Sequence, residues 1–88
     1  PDALSHAQEL LALEPLSEDA HRRVMRLHYL AGDRSAALLA FDRCERTLKD
    51  EIGTRPSAET LALLATIEAA GDAAPSPAGG ARLPASIQ

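Results

Sequence analysis

Apolar residues recur along this chain at helical spacing in four successive runs, separated by residues that stop or start helices. The first run places Ala3, Ala7, Leu10 and Leu11 on one face and predicts a helix from about Asp2 to Leu13. Pro15 ends it, because the residue before a proline disfavours helical backbone angles. Ser17 is a cap for the second helix, and Glu18 and Asp19 stand in its first turn, where the helix dipole favours acids. Its apolar stripe is Ala20, Val24, Leu27 and Ala31. Gly32 can adopt the left-handed conformation that closes a helix, and Asp33 can cap the next one. The third helix runs from Arg34 to about Ile52 with Ala37, Phe41, Cys44 and Leu48 on its buried face, and Gly53 closes it. Pro56 blocks continuation and Ser57 caps a fourth helix. Leu61, Leu64, Ala65 and Ile67 give that helix a broad apolar side ending near Ala70.

The pattern therefore predicts an all-α protein of about four helices, with no strand signal. Ala20, Val24, Leu27, Ala37, Phe41, Cys44, Leu48, Leu61, Leu64 and Ile67 are expected to meet in one continuous core. From Gly71 onward the periodicity disappears and Pro, Ala, Gly and Ser dominate. Residues 1–70 read as the helical domain and 71–88 as a flexible linker, since that stretch has too little apolar surface to offset its ordering entropy.

The helices also repeat. A shift of 34 residues brings Ala3 onto Ala37, Leu4 onto Leu38, Ala7 onto Phe41 and Leu10 onto Cys44, so the first and third helices play one role in successive units. The run from Gly32 through Ala37, Phe41 and Cys44 resembles the second half of a tetratricopeptide repeat, in which small residues allow close helix approach and an aromatic fills the gap. The boundary prolines Pro15 and Pro56 lie 41 residues apart, so the third helix is longer than the standard repeat allows. The fold expected is a short right-handed stack of antiparallel helical hairpins, truncated at its N-terminal side, with a C-terminal tail.

Charge and composition narrow the function. The 88 residues make at most one domain with a small core. The net charge of −4 and 2% aromatic content argue against a nucleic-acid surface, which needs a basic patch and often stacking rings. No apolar run approaches the length of a membrane span. The single cysteine cannot form an internal disulfide, which fits a reducing cytoplasm. His6, His21, His28 and Cys44 match no common metal-ligand spacing, so no metal and no cofactor is expected. Cys44 reads as a small buried hydrophobe with no sequence sign of an activating base. No Gly-rich phosphate loop occurs, and no catalytic constellation emerges; an enzyme is not expected.

In a tetratricopeptide array the first helix of each pair lines a concave groove. The motif alignment places Asp19, Arg22, Arg26 and Tyr29 at groove positions of the second helix. Arg22 and Arg26 lie four apart on one face and could grip an acidic peptide with two guanidinium groups. The alternative is that Glu18–Arg22 and Asp19–Arg23 are ordinary surface pairs contributing only about 0.3–0.5 kcal/mol each. Tyr29 either fills a gap between helices or faces the groove.

Two segments carry a more specific likeness: Leu-Leu-Ala-Leu-Glu-Pro-Leu-Ser-Glu-Asp-Ala-His-Arg-Arg-Val-Met-Arg-Leu at 10–27, and Leu-Lys-Asp-Glu-Ile-Gly-Thr-Arg-Pro-Ser-Ala-Glu-Thr at 48–60. They resemble the bacterial transcriptional activator domain of actinobacterial antibiotic regulatory proteins, with Ile52 standing where that family usually has Leu. The resemblance implies a tetratricopeptide-like domain beside an N-terminal winged-helix DNA-binding domain, and in larger members an ATPase module to which the Pro-rich tail would lead. It implies a non-catalytic, cytoplasmic role in protein–protein contact: self-association, or relay of a signal between a DNA-binding domain and an effector module. DNA would be bound by the neighbouring domain and not by these residues, and no membrane is involved. The competing expectation is a stand-alone adaptor that binds an acidic peptide through Arg22 and Arg26.

Overall fold

Side-chain oxygens begin every helix. The computed structural model describes residues 2–73, which form α1 (Ala3–Leu13), α2 (Glu18–Leu30), α3 (Arg34–Ile52) and α4 (Ala58–Ala73). Asp2 Oδ1 accepts the Ser5 N–H at 2.8 Å, Ser17 Oγ that of Ala20 at 3.2 Å, and Asp33 Oδ1 that of Ala36 at 3.0 Å. Ser57 Oγ does the same for Thr60 at 3.4 Å. In each case a short oxygen-bearing side chain satisfies a backbone donor that the helix itself leaves free. The first helix therefore starts at Ala3, behind its Asp2 cap.

Glycines close the middle helices. At the end of α2, Gly32 has φ of +82°. Its N–H bonds to the Tyr29 carbonyl at 3.0 Å, and the Asp33 N–H reaches the His28 carbonyl at 2.9 Å. This is the Schellman arrangement, and its left-handed residue is the reason for a glycine. Asp33 thus ends one helix with its backbone and starts the next with its carboxylate. Gly53 closes α3 with φ of +65°. The fourth helix runs to Ala73, three residues past the expected end, because one glycine near a helix terminus weakens a helix by only about 1 kcal/mol and need not stop it. The linker expected at 71–88 falls, from residue 74 onward, outside the described residues.

The helices are antiparallel hairpins stacked as repeats. α1 packs along α2, α2 along α3, and α4 rests on both α2 and α3. Ser57 at the start of α4 meets Glu18 at the start of α2, while Ile67 and Glu68 meet Arg34 at the start of α3. α4 therefore runs parallel to α2 and antiparallel to α3.

Ala7, Val24, Met25, Ala37, Ala40, Phe41 and Ile67 form the central cluster, with Leu27, Leu63 and Leu64 half-buried around it. Ala20, Cys44 and Leu48 are buried as well. The alanines of α1 and α3 let backbones approach, and Phe41 fills the space between them. Ala3, Ala31 and Ala65, placed on apolar faces by their spacing, are exposed, and two leucines also depart from expectation. Leu61, assigned to the core by its spacing, is 39% exposed. The inward position of that turn belongs to Thr60, which is fully buried because its hydroxyl has charged partners. Leu10, expected on the inner face of α1, is 36% exposed, whereas Ala7, one turn earlier, is completely buried.

Candidate functional site

A polar network lies where the first turns of α2 and α4 meet. The Thr60 hydroxyl donates to Glu18 Oε1 at 2.6 Å and accepts from the Arg22 guanidinium at 2.8 Å. The Ser57 N–H donates to the same Glu18 oxygen at 2.9 Å. Arg22 is also 3.9 Å from Glu18, 3.7 Å from Asp19 and 3.7 Å from Glu59 of α4. Burial by itself would raise the Glu18 carboxyl, but the hydrogen bonds from Thr60 and Ser57 and the Arg22 charge outweigh it and hold the group below its usual range.

This network decides how the groove residues stand. Arg22 is buried among α2 and α4 groups, with 11% of its side chain exposed, and it joins two helices of this chain. Arg26 is exposed, so the structure does not bring the two guanidinium groups together as an open pair. Asp19 is exposed and lies 3.7 Å from both Arg22 and Arg23. Tyr29 is half-buried and packs against the core cluster. Thr60 carried no signal of its own in the sequence. Only its position three residues after the cap Ser57, together with an acid at Glu18, could have pointed to it.

A second feature lies between α1 and α3. A cleft of about 290 Å³ is lined by Gln8, Leu11 and Ala12 of α1, by Pro15, by His21 and Val24 of α2, and by Arg43 and Thr47 of α3. His21 is 2% exposed; its Nε2–H donates to the Pro15 carbonyl at 2.7 Å, while its Nδ1 is buried without a partner.

Catalytic chemistry finds little support among the described side chains. Burial, reinforced by Glu18 and opposed by Arg22, pushes the Cys44 thiol up to about 11, the wrong direction for a nucleophile. Among the described residues no group of three or more His, Cys, Asp or Glu side chains could hold a metal ion. No helix among them is long and apolar enough to cross a membrane. What the surface does carry is uncovered apolar side chains: Leu13 is 78% exposed, Leu16 41%, and both flank the α1–α2 corner beside Leu10.

The model of the bacterial transcriptional activator domain matches residues 1–68, which takes in all but the end of α4. The chain belongs to that family. No curated protein and no solved structure matches it. The activator domain is thus, in this chain, a set of tetratricopeptide-like helical hairpins, and the matched stretch holds both the α2–α4 network and the cleft over His21.

Proposed function

We propose that this activator domain is a non-catalytic docking module of a cytoplasmic transcriptional regulator. It acts by weak self-association and passes the resulting state to a DNA-binding domain elsewhere in the regulator. The observation that supports this most is the apolar corner formed by Leu10, Leu13 and Leu16. Leu13 alone leaves most of a leucine side chain in water, and burying it is worth about 1.5–3 kcal/mol. Repeat stacks with an uncovered end tend to find a partner, because each unit completes its apolar face on its neighbour. Leu4 and Leu11 pack inward on the core cluster, whereas Leu10, Leu13 and Leu16 face outward. An acidic-peptide adaptor is less well supported, because Arg22 already serves Thr60 and Glu18.

Sedimentation velocity over a concentration series up to about 1 mM tests the reading, since contacts of this size correspond to millimolar-range affinities. A rising weighted-average mass that Leu13→Gln and Leu16→Ser abolish is the expected result. A strict monomer throughout the series would overturn it.

A further inference from the structure

The leucine corner is ringed by acids. Leu10 shares a shallow cleft with Glu14 and Asp19, and Leu16 shares another with Glu14 and Glu51. The one cation in these two clefts, Arg23, is already 3.7 Å from Asp19. From Asp2 to Ser17 the chain carries the carboxylates of Asp2, Glu9 and Glu14 and no lysine or arginine. Two such corners placed face to face would set these carboxylates against their own copies, and like charges brought together across a contact oppose it. The corner therefore calls for a different surface as its partner, one with free cations beside an uncovered apolar side chain.

The last turns of α3 supply such a surface. A cavity of about 650 Å³ is lined there by Arg46, Lys49 and Arg55, with Asp42 and Glu45 further back along the helix. Asp42 stands four residues before Arg46, and Glu45 four before Lys49, a spacing that permits ion pairs. The structure makes neither: the ion pairs among the described residues take Arg22 and Arg23 as their cations. Arg46, Lys49 and Arg55 are all exposed. Ile52, three residues past Lys49 and so on its stripe, is 52% exposed. Of the other exposed apolar residues, Leu30 and Leu39 each have one arginine a turn away on their own helix, and Leu61 has none.

We propose that this cavity receives the leucine corner of a second copy of the chain, with Leu13 laid on Ile52 and the carboxylates of Glu9 and Glu14 set against Arg46, Lys49 and Arg55. The inference rests on self-association through the corner and names the surface that the corner meets. Corner and cavity are unlike surfaces, so each joined pair still offers one free corner and one free cavity. Association then continues past the dimer unless the chain of copies closes into a ring. The charge contacts lie at a wet rim, where each is weak and salt screens it. Salt thus separates the two geometries: it weakens a corner seated in the cavity and strengthens two acidic corners pressed together.

Sedimentation velocity of the whole 88-residue chain at about 1 mM protein, in about 20 mM and about 300 mM salt, tests this. The expected result is an average mass above that of the monomer in low salt, falling in high salt. Leu13→Gln disables the corner, and Arg46→Glu with Lys49→Glu reverses the cavity. All three side chains are exposed, and circular dichroism checks that both variants fold. Each variant alone should associate at least about tenfold more weakly than the parent. Their equimolar mixture, in which one intact corner faces one intact cavity, should form a pair and stop there. A cavity variant that associates as the parent does, association that salt strengthens, or a mixture that stays monomeric while the parent associates would each overturn the cavity as partner and leave self-association standing. A monomeric parent would remove self-association itself, and this inference with it.

Discussion

Glu18 of α2 supplies the bond that closes the N-terminal cap of another helix, accepting the Ser57 N–H at 2.9 Å. In a capping box the acid that bonds the cap residue's N–H sits three residues further along the same helix. Here that place is taken by Thr60, whose hydroxyl turns back to the same Glu18 oxygen at 2.6 Å. The cap is thereby converted from a local device into a contact between two helices that lie 39 residues apart in sequence.

Removing either end of that contact should expose the coupling. Thr60→Val keeps the shape but takes away the hydroxyl that joins Glu18 to Arg22, and should cost about 1–3 kcal/mol. Glu18→Gln should cost a similar amount, and the double variant less than the sum, since one interaction is lost in both. Urea unfolding of the four proteins measures the difference; strict additivity would show that Glu18 and Thr60 act independently.

Acid should act through the same carboxyl. Its folded value is lowered, so the stability it contributes is complete above its unfolded value, near the usual 4.5, and is lost as pH falls through the lower folded value. Melting temperature should therefore drop on acidification below about pH 4.5, less steeply in Glu18→Gln than in the parent. Equal slopes in the two proteins would contradict this.

Phe41 is the largest side chain of the central cluster and is almost completely buried. Phe41→Ala should cost about 3–5 kcal/mol, a large share of the stability of a domain this small. Circular dichroism on heating checks it, and unchanged melting would remove Phe41 from the centre of the core.

Gly53 isolates a backbone effect. A Cβ built there meets nothing within 4 Å, yet φ is +65°. Gly53→Ala should therefore destabilise by about 1–2 kcal/mol through conformation alone. Gly53→Asn should be milder, since asparagine tolerates that region. A stability ranking of alanine above asparagine at this site would refute the reading.

Duplex DNA provides the last test. The chain carries net charge −4, and Asp19, Glu18 and Glu59 surround its most interior arginine. Along α3 the basic residues Arg43, Arg46 and Lys49 are interleaved with Asp42, Glu45, Asp50 and Glu51, which oppose the phosphate contacts that release counterions from DNA. Fluorescence anisotropy with random duplex should show no salt-dependent binding at micromolar protein, and a measurable salt slope would overturn the expectation.

The helices were legible in the sequence because their signals are local. Ser17, Asp33 and Ser57 are short oxygen-bearing residues immediately before an apolar stripe, and Gly32 and Gly53 follow one. Cap geometry is decided within a few residues, so a linear reading can reach it. The fate of Arg22 could not be read this way. Its neighbours on α2, Glu18 and Asp19, made a surface pairing plausible, and Arg26 suggested a groove. The deciding partner, Thr60, stands 38 residues away. Leu61 failed for the same reason: periodicity cannot choose between adjacent residues when the polar one gains two hydrogen bonds by turning inward. The empty acceptor of His21 was equally hidden, because the carbonyl that fixes its tautomer belongs to Pro15, a residue that the sequence marks only as a helix breaker.

The clasp on α4 has a counterpart. Arg34 Nε donates to the Ile67 carbonyl at 3.2 Å, ten residues along from Ser57. One clasp is the first residue of α2 and the other the first residue of α3, so the helix is gauged against two fixed posts about 15 Å apart along its axis. A helix held this way cannot creep. Slipping by one turn, about 5.4 Å, would offer Arg34 another backbone carbonyl but carry Ser57 and Thr60 away from Glu18, where no like pair replaces them. α4 is therefore either seated or released, with no graded position between. A pull or push on its far end reaches the rest of the domain as a binary event, and the starts of α2 and α3 are the points that register it.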